Sequence, residues 1–304
     1  MEGNWEKFRI KHPPRFDHRL TTALGCCLVF GLFLLLPAVG AAQVFWSVSD
    51  DEGRQNWILG TIHSEDPRLL EWPEALVQAL VEADRLALEL APDAAMLDRM
   101  EQAMRYQDAR LEAVLGAQLY SQVVDVLGNH YGLAESAVER LRPWAVAMTL
   151  ATPPAETGMF MDLMLSVRAR GAGTEVLALE TLDEQIDFLA DLPRSEQIEL
   201  IRHALARRSL QGEDFEAILS AYLAGDLERL VEVADRQLSG LSRGIVMHFK
   251  EIGLERRNRV MLERARPWLE EGGLIIAVGA LHLPGEAGLL SLLRESGWRV
   301  EPVY

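Results

Sequence analysis

The chain has 304 residues, 49% of them hydrophobic, and a formal net charge of −16. That apolar content supports a folded domain and excludes a disordered chain. The acidity excludes a nucleic-acid binder and argues against adhesion to anionic lipid, since phosphates would be repelled.

Residues 1–19 carry five basic and three acidic groups, and no charge follows from Leu20 to Ser49. Within that span Ala23–Leu36 is a dense apolar block of 14 residues, followed by Pro37 and small residues ahead of Gln43. A charged start, a short apolar block and small residues read as a secretory signal cut near Ala42. The block is shorter than the roughly 20 residues of a membrane-spanning helix. An uncleaved N-terminal anchor is the alternative reading. Either one puts the main domain, 43–304, outside the cytoplasm, secreted or periplasmic, with membrane contact only through this segment. Cys26 and Cys27 lie in the block, so cleavage leaves neither a disulfide nor a thiolate metal site. It also takes the net charge from −16 to −18.

Two β-rich runs, QVFWSVSD and NWILGTIH, flank DEGRQ and predict a hairpin. PEALVQALVEAD is an amphipathic helix with Pro73 at its start, and RLALELAP is a short strand halted by Pro92. From Ala94 to Thr152 the pattern is helical, with loops near Gly128 and Arg142–Pro143. ATPPAETG is a linker or turn, and MFMDLMLSVRARG is a helix ending at Gly171. TEVLALE is a strand, and TLDEQIDFLADL a helix with Thr181 placed to cap it. Residues 194–268 are almost wholly helical. GLIIAVGALH is a buried-type strand, GEAGLLSLLRES a helix and WRVEPVY a closing strand. The expectation is an α/β fold: one mixed central sheet built from the N- and C-terminal halves, with a large helical insertion over its ligand edge.

Two echoes organise the chemistry. Gly60-Thr61-Ile62-His63 is matched by Gly279-Ala280-Leu281-His282, and Leu86–Glu89 reads LALE, as does Leu177–Glu180. Each polar residue falls near the C-terminal end of an apolar strand, and in open α/β sheets those ends line the ligand crevice. A carboxylate ending a buried strand is costly to desolvate unless it is paired or bound to a cation. Gly60 and Gly279 would let backbone or ligand approach just before each histidine. The bland reading stays beside this one. A single strand-end histidine is commonly just a satisfied polar residue, LALE recurs freely in Leu- and Ala-rich chains, and SEDP after His63 reads as a turn. His130, His203 and His248 fall in helical patterns as surface or packing residues, and Glu286 sits where a helix N-terminus would use it.

In sequence the chain resembles the TraB/GumN family, related to the Tiki proteases and more distantly to haem-binding ChaN and the erythromycin esterases. Five elements carry the likeness in order: WILGTIHSEDP, LALEL, the block from Met159 that includes Asp162, Glu180 and Gln185, ERRNRVM, and IIAVGALHLPGEAGLLSLLRESGWRV. The resemblance implies a metal-dependent peptidase with His63, Glu89 and His282 as ligands. Glu180 would be a fourth ligand or a general base, so His63, Glu89 and Glu180 are the catalytic candidates. Arg257, Asn258 and Asp162 are the substrate-binding candidates. Two imidazoles and one or two carboxylates suit a divalent metal, Zn²⁺, Mn²⁺ or Co²⁺, and an open position would activate water. The esterase relatives work through a histidine base without a metal. The expected partner is a peptide or small-molecule substrate. Two non-catalytic readings compete with hydrolysis: a periplasmic haem- or metal-binding protein, and a module that sequesters a peptide through its helical insertion.

Overall fold

A computed structural model describes residues 43–304, and the expected signal or anchor lies outside them. The DEGRQ break does become a hairpin. Asp50 accepts hydrogen bonds from the N–H groups of Glu52 and Arg54, 3.0 Å each, and pairs with the Arg54 side chain. Gly53 turns the chain at a φ of +85°, where a side chain would be strained. The turn joins β1 (Phe45–Ser49) to β2 (Gln55–Thr61) with Phe45 opposite Leu59 and Ser49 opposite Gln55.

Four further strands complete one sheet: β3 (Arg85–Leu88), β4 (Glu175–Ala178), β5 (Leu274–Gly279) and β6 (Arg299–Pro302). Their order is β4-β3-β5-β2-β1-β6. The first four in that row run parallel, while β1 pairs antiparallel with both β2 and β6. Both ends of the chain therefore build one mixed sheet, as the alternation of predicted elements implied. Parallel strands are covered on both faces, and β5 is the clearest case. Ile275 and Ala277 enter one core with the helices Glu74–Glu82, Met161–Ala172 and Gln211–Leu223. Leu274, Ile276 and Val278 enter the opposite core with Arg257–Glu271 and Leu289–Glu295. Asn56, fully buried, ties the strand entry together. Its amide donates to the Leu269 carbonyl (3.1 Å) and accepts from the Leu274 N–H (3.0 Å).

The helical residues from 194 to 268 do not form one body. Arg194–Arg207 sends Ile201 into a third core shared with Ala117–Tyr131 and Pro143–Ala151. Gln211–Leu223 and Arg257–Glu271 cover opposite faces of the sheet, because their apolar faces match different cores. Two further segments, Leu227–Leu238 and a nine-residue π-helical stretch His248–Arg256, wall the cavity at the C-terminal ends of β2 and β5. Three boundaries move as well. The helix Ala117–Tyr131 runs through Gly128, since Leu127 before it and Tyr131 after it pack on the same core, and it stops at Gly132 with a φ of +68°. Met161–Ala172 likewise ends at Gly173 rather than Gly171. The last helix begins at Leu289, leaving Glu286 exposed ahead of it. Thr181 does cap Leu182–Ala190, with Glu184 closing a capping box. No described helix is long and apolar enough to cross a membrane.

Candidate functional site

The two glycine-x-x-histidine elements leave neighbouring strands side by side. Gly60 pairs with Val278 and Thr61 with Gly279 across β2 and β5. The two glycines serve different contacts. A Cβ on Gly60 would stand 2.9 Å from Leu283 and 3.0 Å from Ala280, so its absence lets the second element pack on the first. A Cβ on Gly279 would stand 3.3 Å from the Glu89 carboxylate, which the Gly279 N–H holds at 2.7 Å. Tyr222, buried in the helix Gln211–Leu223, donates its hydroxyl to the Gly60 carbonyl (2.8 Å) and fixes the first element from above.

Both strand-end glutamates turn to one cation that the fold supplies itself. Arg257 donates from Nε to Glu180 (2.8 Å) and from Nη2 to both Glu180 (2.5 Å) and Glu89 (2.7 Å). Gln185 donates to the same two carboxylates, at 3.1 Å and 3.2 Å. Burial alone would pull the Arg257 guanidinium below its ordinary pKa. The hydrogen bond to Glu180 and the charges of both carboxylates outweigh it and hold the pKa above that value. The two LALE copies are not equivalent, however. Leu86 pairs with Val176 and Leu88 with Ala178, so the repeats are out of register by one residue. Leu86 and Leu88 consequently face one core, while Leu177 and Leu179 face the other. Glu180 is 5% exposed and wholly committed to Arg257 and Gln185, whereas Glu89 keeps one oxygen toward Gly279 and His282.

The hydrogen bonds around His282 determine its tautomer. The Ala287 carbonyl can only accept, so the Asn258 amide nitrogen donates to it (2.8 Å) and the Asn258 oxygen faces His282 Nδ1 at 2.6 Å. Nδ1 therefore carries the proton and Nε2 offers a lone pair. That nitrogen lies 3.7 Å from Glu89. Burial lowers the His282 pKa, Glu89 opposes the shift and Arg257 reinforces it, so the ring is neutral near pH 7. Asn258 is 2% exposed, and its amide is spent between His282 and Ala287. His63 is the opposite case, with a side chain 67% exposed. It stacks on Phe160 (ring centroids 3.9 Å apart, 13° between planes) and turns Nδ1 to Asp162 at 3.9 Å. Asp162 in turn accepts a hydrogen bond from the Thr61 hydroxyl (2.8 Å).

His63, Arg257, Asn258 and His282 all line one open cavity of about 1040 Å³. It is at the upper end of small-ligand sites and has room for a short extended chain. Ile218, Leu230, Val231, Leu238 and Phe249 give it an apolar lining, interrupted by Asp235, Lys250 and Glu255. The expected metal set does not assemble in it. Among the described residues no three His, Cys, Asp or Glu side chains are grouped to hold an ion. Glu89 and His282 offer two ligands across 3.7 Å, His63 is turned to Asp162, and Arg257 takes the cationic place between the glutamates. A zinc-type site needs three or four converging donors, and the residues as arranged do not fit one. Nothing in the sequence signals the roles of Thr61, Tyr222 and Phe160, which come from partners more than a hundred residues away or from stacking. His203 and His248 bond the backbone carbonyls of Gln237 and Phe188, as packing residues do.

Comparison with known proteins agrees in extent with this description. A sequence model of the TraB/PrgY/gumN family matches residues 44–302. An uncharacterized protein of Treponema pallidum (strain Nichols) is 24% identical over 296 residues, covering 90% of this chain and 86% of its own. The uncharacterized protein YbaP of Shigella flexneri is 24% identical over 275 residues, covering 88% of this chain and 99% of its own. YbaP of Escherichia coli (strain K12) matches to the same extent. No solved structure matches significantly.

Proposed function

This chain belongs to the TraB/PrgY/gumN family, and from that premise we propose that it is a hydrolase that cuts a peptide in the cavity between His63 and His282. The observation that carries the reading is that both motif histidines line one cavity, one with its tautomer fixed and its Nε2 bare. His282 Nε2 takes a proton from water as the oxygen attacks the scissile carbonyl carbon. Glu89, 3.7 Å away, stabilises the imidazolium that forms. His63, at the solvent side and backed by Asp162, gives a proton of its own to the leaving nitrogen as its bond to carbon breaks; exchange with water then removes the proton from His282 and restores the one on His63. Glu180 and Arg257 hold Glu89 in place, and Asn258 orients His282, so the general base of this reading is His282 rather than Glu180. No step is routed through a metal.

The experiment is cleavage of a quenched-fluorescent peptide library by the protein treated with a chelator. Cleavage should survive chelation, and His282→Ala should lower it by roughly 10²–10⁴-fold, the usual contribution of a positioned acid or base. Cleavage that needs added Zn²⁺, Mn²⁺ or Co²⁺, or that persists in the His63→Ala/His282→Ala double variant, would overturn the assignment. A second reading, a peptide-sequestering module, is favoured by one observation. Val231, one of the apolar residues lining the cavity, is 37% exposed. Saturable peptide binding without turnover in the same assay would select it.

A further inference from the structure

SEDP, directly after His63, reads from the sequence as a turn, but its residues make separate attachments. Ser64 is buried, and its hydroxyl accepts from the Asp66 N–H (3.1 Å). Asp66 pairs with Arg68, which reaches on to Glu216 in the helix Gln211–Leu223. Glu65 is attached furthest away. Its Oε2 accepts from the N–H groups of Glu156 (3.0 Å) and Thr157 (2.6 Å) and from the Thr157 hydroxyl (2.9 Å). Its Oε1 accepts from the Gly158 N–H (2.9 Å). Three successive backbone donors converging on one carboxylate form an anion-holding concavity. Gly158, at a φ of +74°, supplies the left-handed residue that closes it. Every residue from Ala151 to Met159 is exposed, so no apolar burial holds this strap.

The strap ends where it matters to His63. Phe160, two residues past Gly158, stacks on the imidazole, and Asp162 faces its Nδ1. We infer that Glu65 is a positioning residue: it latches the strap 156–158 beside the first histidine element, so that Phe160 and Asp162 clasp His63 at the mouth of the cavity. The His63 end of the clasp is anchored by β2 and the Asp162 end by a helix whose Met161 is buried. Thr152 is still tied to the helix Ala117–Tyr131, its carbonyl accepting from the Tyr131 hydroxyl (2.8 Å), and in the exposed stretch beyond it, up to Met159, Glu65 takes four donors. The latch gives His63 one orientation. It rests on the reading that His63 works in this site, but its geometry can be tested apart from activity.

The experiment compares the parent with Glu65→Ala, Glu65→Gln and Phe160→Ala. A ring stacked at 3.9 Å shifts the His63 ring protons upfield, so their NMR positions report the clasp directly. In Glu65→Ala the His63 protons should move to their positions in Phe160→Ala. Amide exchange at Glu156, Thr157 and Gly158 should quicken by roughly tenfold or more, as for donors that lose a charged acceptor. Glu65→Gln should fall between, since one amide oxygen still serves three donors while its NH₂ group faces the Gly158 N–H. It also keeps the test alive if the alanine variant does not fold. On peptide cleavage the alanine variant should lower kcat more than it raises KM. An unmoved His63 resonance together with unchanged exchange at 156–158 would overturn the latch. A parent that cleaves nothing would instead overturn the hydrolase reading, leaving the two spectroscopic results to decide the latch.

Discussion

Replacing Arg257 with Met tests whether a guanidinium holds the centre of this site together. The Arg257 side chain is 19% exposed, Glu180 3% and Glu89 23%. Removing one partner of a buried ion pair leaves the other charge uncompensated and costs about 3–5 kcal/mol. The partial exposure of Glu89 favours the lower end, about 3 kcal/mol, because water can still reach one of the two orphaned carboxylates. For a chain of this length that is a fall in Tm of about 6–12 °C. Two controls separate charge from packing. Arg257→Lys restores a point charge without the planar fork and should recover only part of the loss. Glu180→Gln added to Arg257→Met should be more stable than Arg257→Met alone, since it removes the charge that lost its partner. Divalent cations give a third arm. Arg257→Met should gain melting temperature from Mn²⁺, by about 2.7 kcal/mol at a hundredfold excess over Kd, and the parent should gain little. Melting of Arg257→Met within about 2 °C of the parent, equivalent to under about 1 kcal/mol, would refute the reasoning.

The two motif glycines should respond unequally to alanine in urea unfolding. Gly60→Ala should cost about 1–3 kcal/mol because its Cβ meets the Ala280 backbone, while Gly279→Ala should cost less because a carboxylate can yield; the reverse order would contradict the contacts. His282 predicts a pH dependence. Its pKa is held below the ordinary 6.5, so the folded chain binds fewer protons there than the unfolded chain. That stabilisation is present above about pH 6.5 and is lost as pH falls through the depressed value. The gap in urea midpoint between about pH 7.5 and about pH 5.5 should therefore shrink in His282→Gln, and an unchanged gap would count against a buried neutral ring. For export, N-terminal sequencing should find the mature chain starting near Gln43; Met1 on a membrane-bound protein would decide for the anchor.

Much of the fold was legible because it depends on local pattern. Strand alternation, the Pro73 helix start, the Thr181 cap and the all-apolar β5 each follow from residues within a few positions of one another. Register was not legible, because sequence identity does not carry it. LALE occurs twice, but pairing Leu86 with Val176 rather than Leu177 puts the two sets of leucines on opposite faces. Register is set by the strands' crossover helices and turns, which the four letters do not contain. The helical block was legible as helix, and its distribution was not: each helix shows which of its faces is apolar, but not which of three cores that face will meet.

At the site, residue type was legible and partnership was not. Two histidines and two glutamates at strand ends state a demand for positive charge, and a divalent ion and a guanidinium meet that demand equally well in composition. The choice between them lies in where Arg257 falls. Its partners are 77 and 168 residues away, and it is delivered by the π-helical stretch that immediately precedes it. An α-helix gains about 100° per residue, so the wider π turns set the direction in which Arg257 leaves the helix. Glu65 was less legible still, because its partners are mostly backbone N–H groups, which nearly every residue possesses. Charge balance links the two cases. With Arg257 between them, Glu89 and Glu180 keep one uncompensated negative charge, and it lies on the side where Glu89 faces His282. The neutral imidazole therefore rests beside an anion that would pair with its cation, and burial and Arg257 outweigh that attraction to keep the proton off until something else changes the balance.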